Sequence, residues 1–161
     1  MPDSAKQSLR RCGVCRRAEM KLICLPEYSM AYADDDSIHS IHVANFRVWQ
    51  CTNPDCASIR IDNEGSQTLD NACRDQLLLL QPESIREQRE KLGLTRTALA
   101  QALRIDEEAL ARYETGGQIQ PGSVDKLLRL FFALPEVRRE VGAEPNRVRG
   151  EAGLHQETTP V

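Results

Sequence analysis

Large aromatic side chains are nearly missing from this chain, with one Trp, three Tyr and three Phe among 161 residues. A core organised around rings is thereby excluded, and the interior must rely on aliphatic residues or on a cross-link of another kind. Also lacking is an uninterrupted apolar run of about 20 residues, the length that crosses a bilayer. The first residues show no apolar stretch of the signal-peptide type. The expectation is a cytoplasmic protein with no membrane partner, in a compartment where paired cysteines favour metal over disulfide. A basic excess is missing too. Residues 1–81 carry 9 Lys+Arg against 11 Asp+Glu, residues 82–141 carry 10 of each, and the last 20 carry 2 against 3. A diffuse electropositive footprint is excluded, so any nucleic-acid binding must rest on a few placed cations.

Cysteine, by contrast, is present in a telling pattern. Four of the six cysteines form two close pairs, Cys12-Gly-Val-Cys15 and Cys51-Thr-Asn-Pro-Asp-Cys56. Two thiolate pairs on tight turns are the ligand set of a tetrahedral Zn²⁺. Four protein ligands leave no open position for water, which makes the expected zinc structural rather than catalytic. The second knuckle is two residues longer than C-x₂-C, but Asn53-Pro54-Asp55 is good turn chemistry. Unligated thiols are the plain alternative. A thioredoxin-like redox role for Cys12 and Cys15 would need a βαβ setting, which the sequence lacks. Cys24 and Cys73 are left over and read as buried small hydrophobes. His39 and His42, three apart on a predicted strand, point to opposite faces and read as surface histidines. No catalytic constellation emerges, and the chain is expected not to be an enzyme.

The order of elements predicts an α+β protein, a small zinc-binding antiparallel β domain followed by an all-α helix-turn-helix domain. Residues 1–11 read as a loose basic leader. Residues 21–25 and 45–50 have strand composition, residues 33–36 are a turn, and residues 38–43 alternate with period two. A small sheet with the knuckles at one end follows, and residues 57–61 can add a strand. Residues 69–80 have helical spacing, broken by Gln81-Pro82. The predicted domains are 1–81, 82–141, and a polar tail, 142–161, expected to be disordered.

Helix starts in the second domain are signalled by paired local features. Thr95 is a candidate N-cap, with Leu94 before it and Leu99 at the fourth helical position, a hydrophobic staple. Asp106 repeats the pattern with Ile105 and Leu110. Two stapled helices joined by a turn at residues 104–106 define a helix-turn-helix. Ile85 and Leu92 mark a helix in front. Val124, Leu127, Leu128 and Phe131 mark an apolar stripe behind, and Leu130, Phe132 and Leu134 are a surplus suited to a dimer interface.

In the second stapled helix, Ala109, Leu110 and Tyr113 should pack inward. Glu107, Glu108, Ala111 and Arg112 then form the outward face that would enter a major groove. Arg112 can donate bidentately to guanine and Glu108 can accept from cytosine N4. Alternatively the two simply bridge each other as an i,i+4 pair. Arg96 and Thr97 open the preceding helix, where backbone N–H groups and a positive side chain suit a phosphate.

The order knuckle, sheet, knuckle, helix-turn-helix resembles the MqsA (YgiT-type) antitoxins of bacterial type II toxin–antitoxin systems. Leu94-Thr95-x₃-Leu99-Ala100 and Arg112-Tyr113-Glu114-x-Gly116 resemble the XRE/Cro-like helix-turn-helix. The likeness covers about residues 12–140. It implies a homodimer joined through the C-terminal domains and repression of the operon's own promoter through double-stranded operator DNA. It further implies a zinc-bearing N-terminal domain that holds a cognate toxin, usually an RNase. The four knuckle cysteines match the zinc ligands and Arg112 the base-reading arginine. Glu108 stands where the family has asparagine, and Arg104 where the turn often has glycine. Outside the antitoxin reading stand a zinc-containing transcriptional regulator acting alone and a thiol-redox enzyme based on Cys12 and Cys15.

Overall fold

Two strands of 15 residues each, β1 (Met20–Asp34) and β2 (Ser37–Cys51), form an antiparallel ribbon in the N-terminal half. The computed structural model describes residues 11–35 and 37–142. The predicted leader and tail therefore lie outside the described residues, apart from Arg11 and Gly142. The chain divides between Leu79 and Leu80 into two compact units. Among the described residues no helix is long and apolar enough to cross a membrane.

The ribbon joins what read as separate strand segments. The break between them has a physical cause at Pro26 and Asn45. Leu25 pairs with Phe46 and Glu27 with Ala44, so register is kept across the two residues. Pro26 brings no N–H to the ladder, and Asn45 adopts a positive φ of 53°. Before this point Ile23, Leu25, Phe46 and Val48 face the core; beyond it Tyr28, Met30 and Val43 do. The inward parity thus shifts by one in both strands together. β3 (Ile59–Arg60) pairs with β2 and completes the order β1-β2-β3.

Helix α1 (Asn63–Gln76) closes the apolar face of the ribbon through Leu69. It starts earlier and ends earlier than its apolar spacing predicted. Asp62 caps it, accepting from Gly65 N at 2.9 Å and from Trp49 Nε1 at 3.0 Å, so one carboxylate ties sheet to helix. These hydrogen bonds, Gly65 first, hold the Asp62 carboxyl below its ordinary range. A Cβ on Gly65 would come within 2.8 Å of Ile61 Cγ2, which explains a glycine in the first turn. At the other end Gln76 fills both backbone positions of His42, accepting from its N at 3.2 Å and donating to its O at 2.7 Å. Residues 77–80 leave the helix, with Leu78 at φ 53° and largely exposed.

The C-terminal unit comprises α2 (Pro82–Lys91), α3 (Arg96–Leu103), α4 (Glu107–Thr115), α5 (Gly122–Ala133) and α6 (Pro135–Glu140). Ile85, Leu99, Leu110, Leu128 and Phe131 are fully buried at its centre. Phe132, expected among the surplus, is instead buried and meets Phe131 edge-on at 5.9 Å. Leu130 and Leu134 do stand exposed. The short helix α6 has no counterpart in the predicted elements; Pro135 at its start is compatible with a first helical position. Asp125 Oδ1 accepts from Leu80 N at 2.7 Å and Gln120 Nε2 donates to Leu80 O at 2.7 Å, which anchors the chain leading into α2.

Candidate functional site

At the knuckles the chain brings Cys12, Cys15, Cys51 and Cys56 together, with all four sulfurs within 4.8 Å of one another. The close contacts run between the knuckles: Cys12 Sγ lies 3.8 Å from Cys56 Sγ, and Cys15 Sγ 3.6 Å from Cys51 Sγ. An ion bonded tetrahedrally to sulfur at about 2.3 Å separates its ligands by about 3.8 Å, so the quartet fits such an ion. The four-cysteine set can therefore hold a metal.

Local backbone geometry builds each half. Both knuckles are followed by a left-handed residue, Arg16 at φ 57° and Ala57 at φ 44°. The two additional residues of the second knuckle are absorbed around Asn53. Its side chain accepts from Asp55 N at 3.1 Å, and its carbonyl accepts from Cys56 N and Ala57 N at 3.0 and 2.9 Å. The first strand aligns the halves, since Cys51 pairs with Met20 and Thr52 N donates to Glu19 O at 3.0 Å.

Hydrogen-bonding groups surround the sulfurs, with Ser58 Oγ accepting from Cys56 and the Asn53 backbone N–H donating to Cys51. Ser58 Oγ lies 3.2 Å from Cys12 Sγ and 3.3 Å from Cys56 Sγ, and Asn53 N donates to Cys51 Sγ at 3.4 Å. The Ser58 hydroxyl, aided by backbone N–H groups of Cys15 and Val14, lowers the Cys12 thiol to about 6. The Arg17 N–H likewise draws Cys15 below its ordinary value. Burial, with the neighbouring sulfurs, pushes Cys51 up to about 12. A cation at the centre reverses that last penalty, because it stabilises every thiolate around it.

The remaining cysteines divide. Cys73 is buried as expected, whereas Cys24 is exposed and corrects that expectation. It sits opposite Arg47 on the face of the ribbon turned away from the core, where period-two alternation puts alternate residues in water. Of the histidines, His42 is exposed beside Glu27 at 3.3 Å and Ser29 at 2.9 Å, while His39 is half-buried.

In the C-terminal unit the predicted caps form. Thr95 accepts from Ala98 N at 3.1 Å and Asp106 from Ala109 N at 2.8 Å. Arg104 closes α3 in the left-handed region, φ 53° and ψ 41°, at the position where glycine would be unstrained. Leu110 and Tyr113 are buried and Ala109 half-buried, whereas Glu107, Glu108 and Arg112 are exposed and Ala111 half-exposed. Arg112 Nε donates to Gln118 Oε1 at 2.9 Å, and its Nη1 lies 3.8 Å from Glu108 Oε2. Thr97 Oγ1 donates to Glu107 Oε1 at 2.8 Å, which joins the first turns of α3 and α4. Arg96 reaches inward, its Nε 3.1 Å from Glu114 Oε2.

Glu114 is a buried charge that lies outside the predicted DNA-contacting face of α4. It is 4 % exposed, and Arg89 engages both its oxygens, at 2.6 and 3.1 Å. Arg89 also donates to Leu94 O at 2.9 Å, just before the cap of α3. Burial pushes the Glu114 carboxyl up, but hydrogen bonds from Arg89 and Arg96 outweigh it and leave it below its ordinary value. A signal did exist in the sequence: Arg89 and Glu114 each follow a core residue, Ile85 and Leu110, by four positions on the same helix.

No curated protein matches the chain. Residues 85–136 match the helix-turn-helix family HTH_3, and this segment is an XRE-like helix-turn-helix domain accompanied by an N-terminal four-cysteine cluster.

Proposed function

We propose that this protein is a zinc-containing, sequence-specific DNA-binding repressor, a binding protein rather than an enzyme, acting as a homodimer on its own promoter. The observation that carries this reading is the exposed face of α4. There Arg112 projects with Glu108 and Ala111 from a helix fixed at both ends, by Asp106 and by the left-handed Gly116. A helix of this kind in a helix-turn-helix is the element that enters the major groove, and a two-fold dimer would read two half-sites about one turn apart. Arg112 is the candidate for guanine, with Glu108 beside it. Thr97 and Arg96, at the start of α3, are assigned to phosphate; without DNA their side chains are held by Glu107 and Glu114. Zinc is the ion that four thiolates at these spacings suit best.

The finer reading is an antitoxin of the MqsA type, in which the four-cysteine unit neutralises a toxin of the RNase class. Its support is the resemblance in element order, from knuckle through sheet and knuckle to helix-turn-helix. A regulator acting alone is favoured by two departures, the longer second knuckle and Glu108 in place of asparagine. Co-expression separates the two. An antitoxin rescues growth from the product of a small open reading frame adjoining its gene, and a lone regulator has no such neighbour to neutralise. Binding itself is tested by footprinting the upstream DNA with purified protein; absence of a protected site there would remove the autorepression reading.

A further inference from the structure

Arg112 is held from two sides by its own chain, and the two holds differ. Its Nε donates to Gln118 Oε1 at 2.9 Å, a full hydrogen bond, whereas its Nη1 stands 3.8 Å from Glu108 Oε2, too far for one. Gln118 returns to the helix because Gly116 turns the chain in the left-handed region, at φ 77°. Gln118 N then donates to Arg112 O at 3.3 Å. The loop also runs along the stem of the arginine, since a Cβ on Gly117 would stand 3.9 Å from both Cβ and Cγ of Arg112. The arginine side chain nonetheless stays half-exposed.

A guanidinium donates from Nε and from both Nη groups. With Nε taken by Gln118, the fork left for a partner is the end-on one, an N–H from each Nη, which matches O6 and N7 of guanine. The side-on fork, which uses Nε, is closed. The chemistry of the restraint matters as well as its place. A glutamine amide is neutral, so it orients the guanidinium without cancelling its charge, as a carboxylate would. One structural role for Gln118 is to close the end of α4. That task falls to its backbone N–H, which almost any residue supplies, and to Gly116. The side chain itself is exposed, and exposed side chains contribute little to stability.

We infer that Gln118 is a positioning residue for base readout, which holds Arg112 end-on and so sharpens its preference at one position of each half-site. This rests on the DNA-binding reading proposed above. Fixing a long side chain in its bound geometry lowers the ordering cost of association. The gain reaches only the base pair that this side chain touches. Gln118 reads no base of its own.

The test measures the affinity of the full chain for a duplex from the DNA upstream of its coding sequence, and for a set in which each base pair is substituted in turn. R112A first locates the base pair whose preference depends on Arg112. Q118A removes the restraint, and Q118M removes the amide while keeping the length of the side chain. R112A/Q118A completes a double-mutant cycle. Both Gln118 variants should lower the preference at that same base pair by about three- to tenfold, part of what a bidentate contact provides. Other positions and the thermal melt should be unchanged, and in the R112A background Q118A should change nothing further there. Full preference in Q118A or in Q118M overturns the inference, and so does a loss spread equally over all positions. A loss that persists in the R112A background makes Gln118 a DNA contact in its own right and overturns it too. In each of these cases the effect of R112A alone keeps the DNA-binding reading standing. A wild-type chain with no preference for the upstream duplex, or an R112A variant that keeps it in full, overturns the reading of α4 and this inference together.

Discussion

Arg89 on α2 and Glu114 on α4, 25 residues apart in sequence, meet through a 2.6 Å hydrogen bond in the interior of the helix-turn-helix unit. The same carboxylate receives Arg96 from the first turn of α3. One buried charge thus fixes the start of α3 and the end of α4 relative to α2, and so sets the position of the α4 face. Removing one partner of such a pair strands the others without compensation, at a cost of about 3–5 kcal/mol. Glu114→Ala should lower the stability of this unit by that order in denaturant titrations. A loss below about 1 kcal/mol, the ordinary range for a surface ion pair, would show that the pair is only peripheral.

The same carboxylate predicts an acid limit. Its pKa in the folded state lies below the ordinary value, so its contribution is present above the unfolded-state pKa and lost as pH falls through the folded one. Stability of the C-terminal unit should therefore decline on acidification below the usual carboxylate range. Glu114→Gln should be less stable at neutral pH and show a flatter acid limb. Parallel acid limbs for variant and wild type in thermal melts would exclude Glu114 as the titrating group.

Metal removal should act on one unit. The N-terminal core is small, with Phe46, Val48 and Leu69 as the buried members of its main cluster. Structural zinc at four thiolates contributes on the order of 10–16 kcal/mol of apparent binding energy. Elemental analysis should find one zinc per chain, and a strong chelator should unfold the ribbon while the helical unit keeps its circular dichroism. A metal-free preparation with an intact ribbon would sink the idea.

The apolar side chains Leu130, Leu134 and Val141 stand exposed at the end of the C-terminal unit, at 50, 42 and 38 %. They are expected to meet their counterparts across a two-fold axis. The full chain should sediment as a dimer at micromolar concentration, and Leu130→Glu should give a folded monomer with much weakened operator binding. A wild-type monomer at that concentration contradicts the proposal.

At the DNA, the two arginines of the helix-turn-helix should behave differently. Arg112→Ala should cost about 1–3 kcal/mol and relax preference at one base pair per half-site. Arg96→Ala should weaken binding to every sequence and also lower stability, because it uncovers Glu114. Competition gel shifts with point-substituted operators, paired with thermal melts, separate the effects. Equal, sequence-independent losses for the two variants would reduce Arg112 to a phosphate contact.

What the chain announced in its sequence is what depends on neighbours within a turn or two. Thr95 and Asp106 cap their helices because a short side chain reaches an N–H three residues on, whatever the rest of the fold does. Each cysteine pair marks a knuckle for the same reason. Tertiary structure decided what lies across long separations. Cys12 came to face Cys56, and Cys15 Cys51, because the register of β1 on β2 sets one knuckle against the other. The parity shift at Pro26 and Asn45 decided which ribbon residues face the core, and Cys24 falls on the outer face. Arg89, Arg96 and Glu114 could be joined only by packing three helices together. Periodicity shows that a position lies on a core stripe, but a charge there gains its meaning from a partner that only the fold delivers.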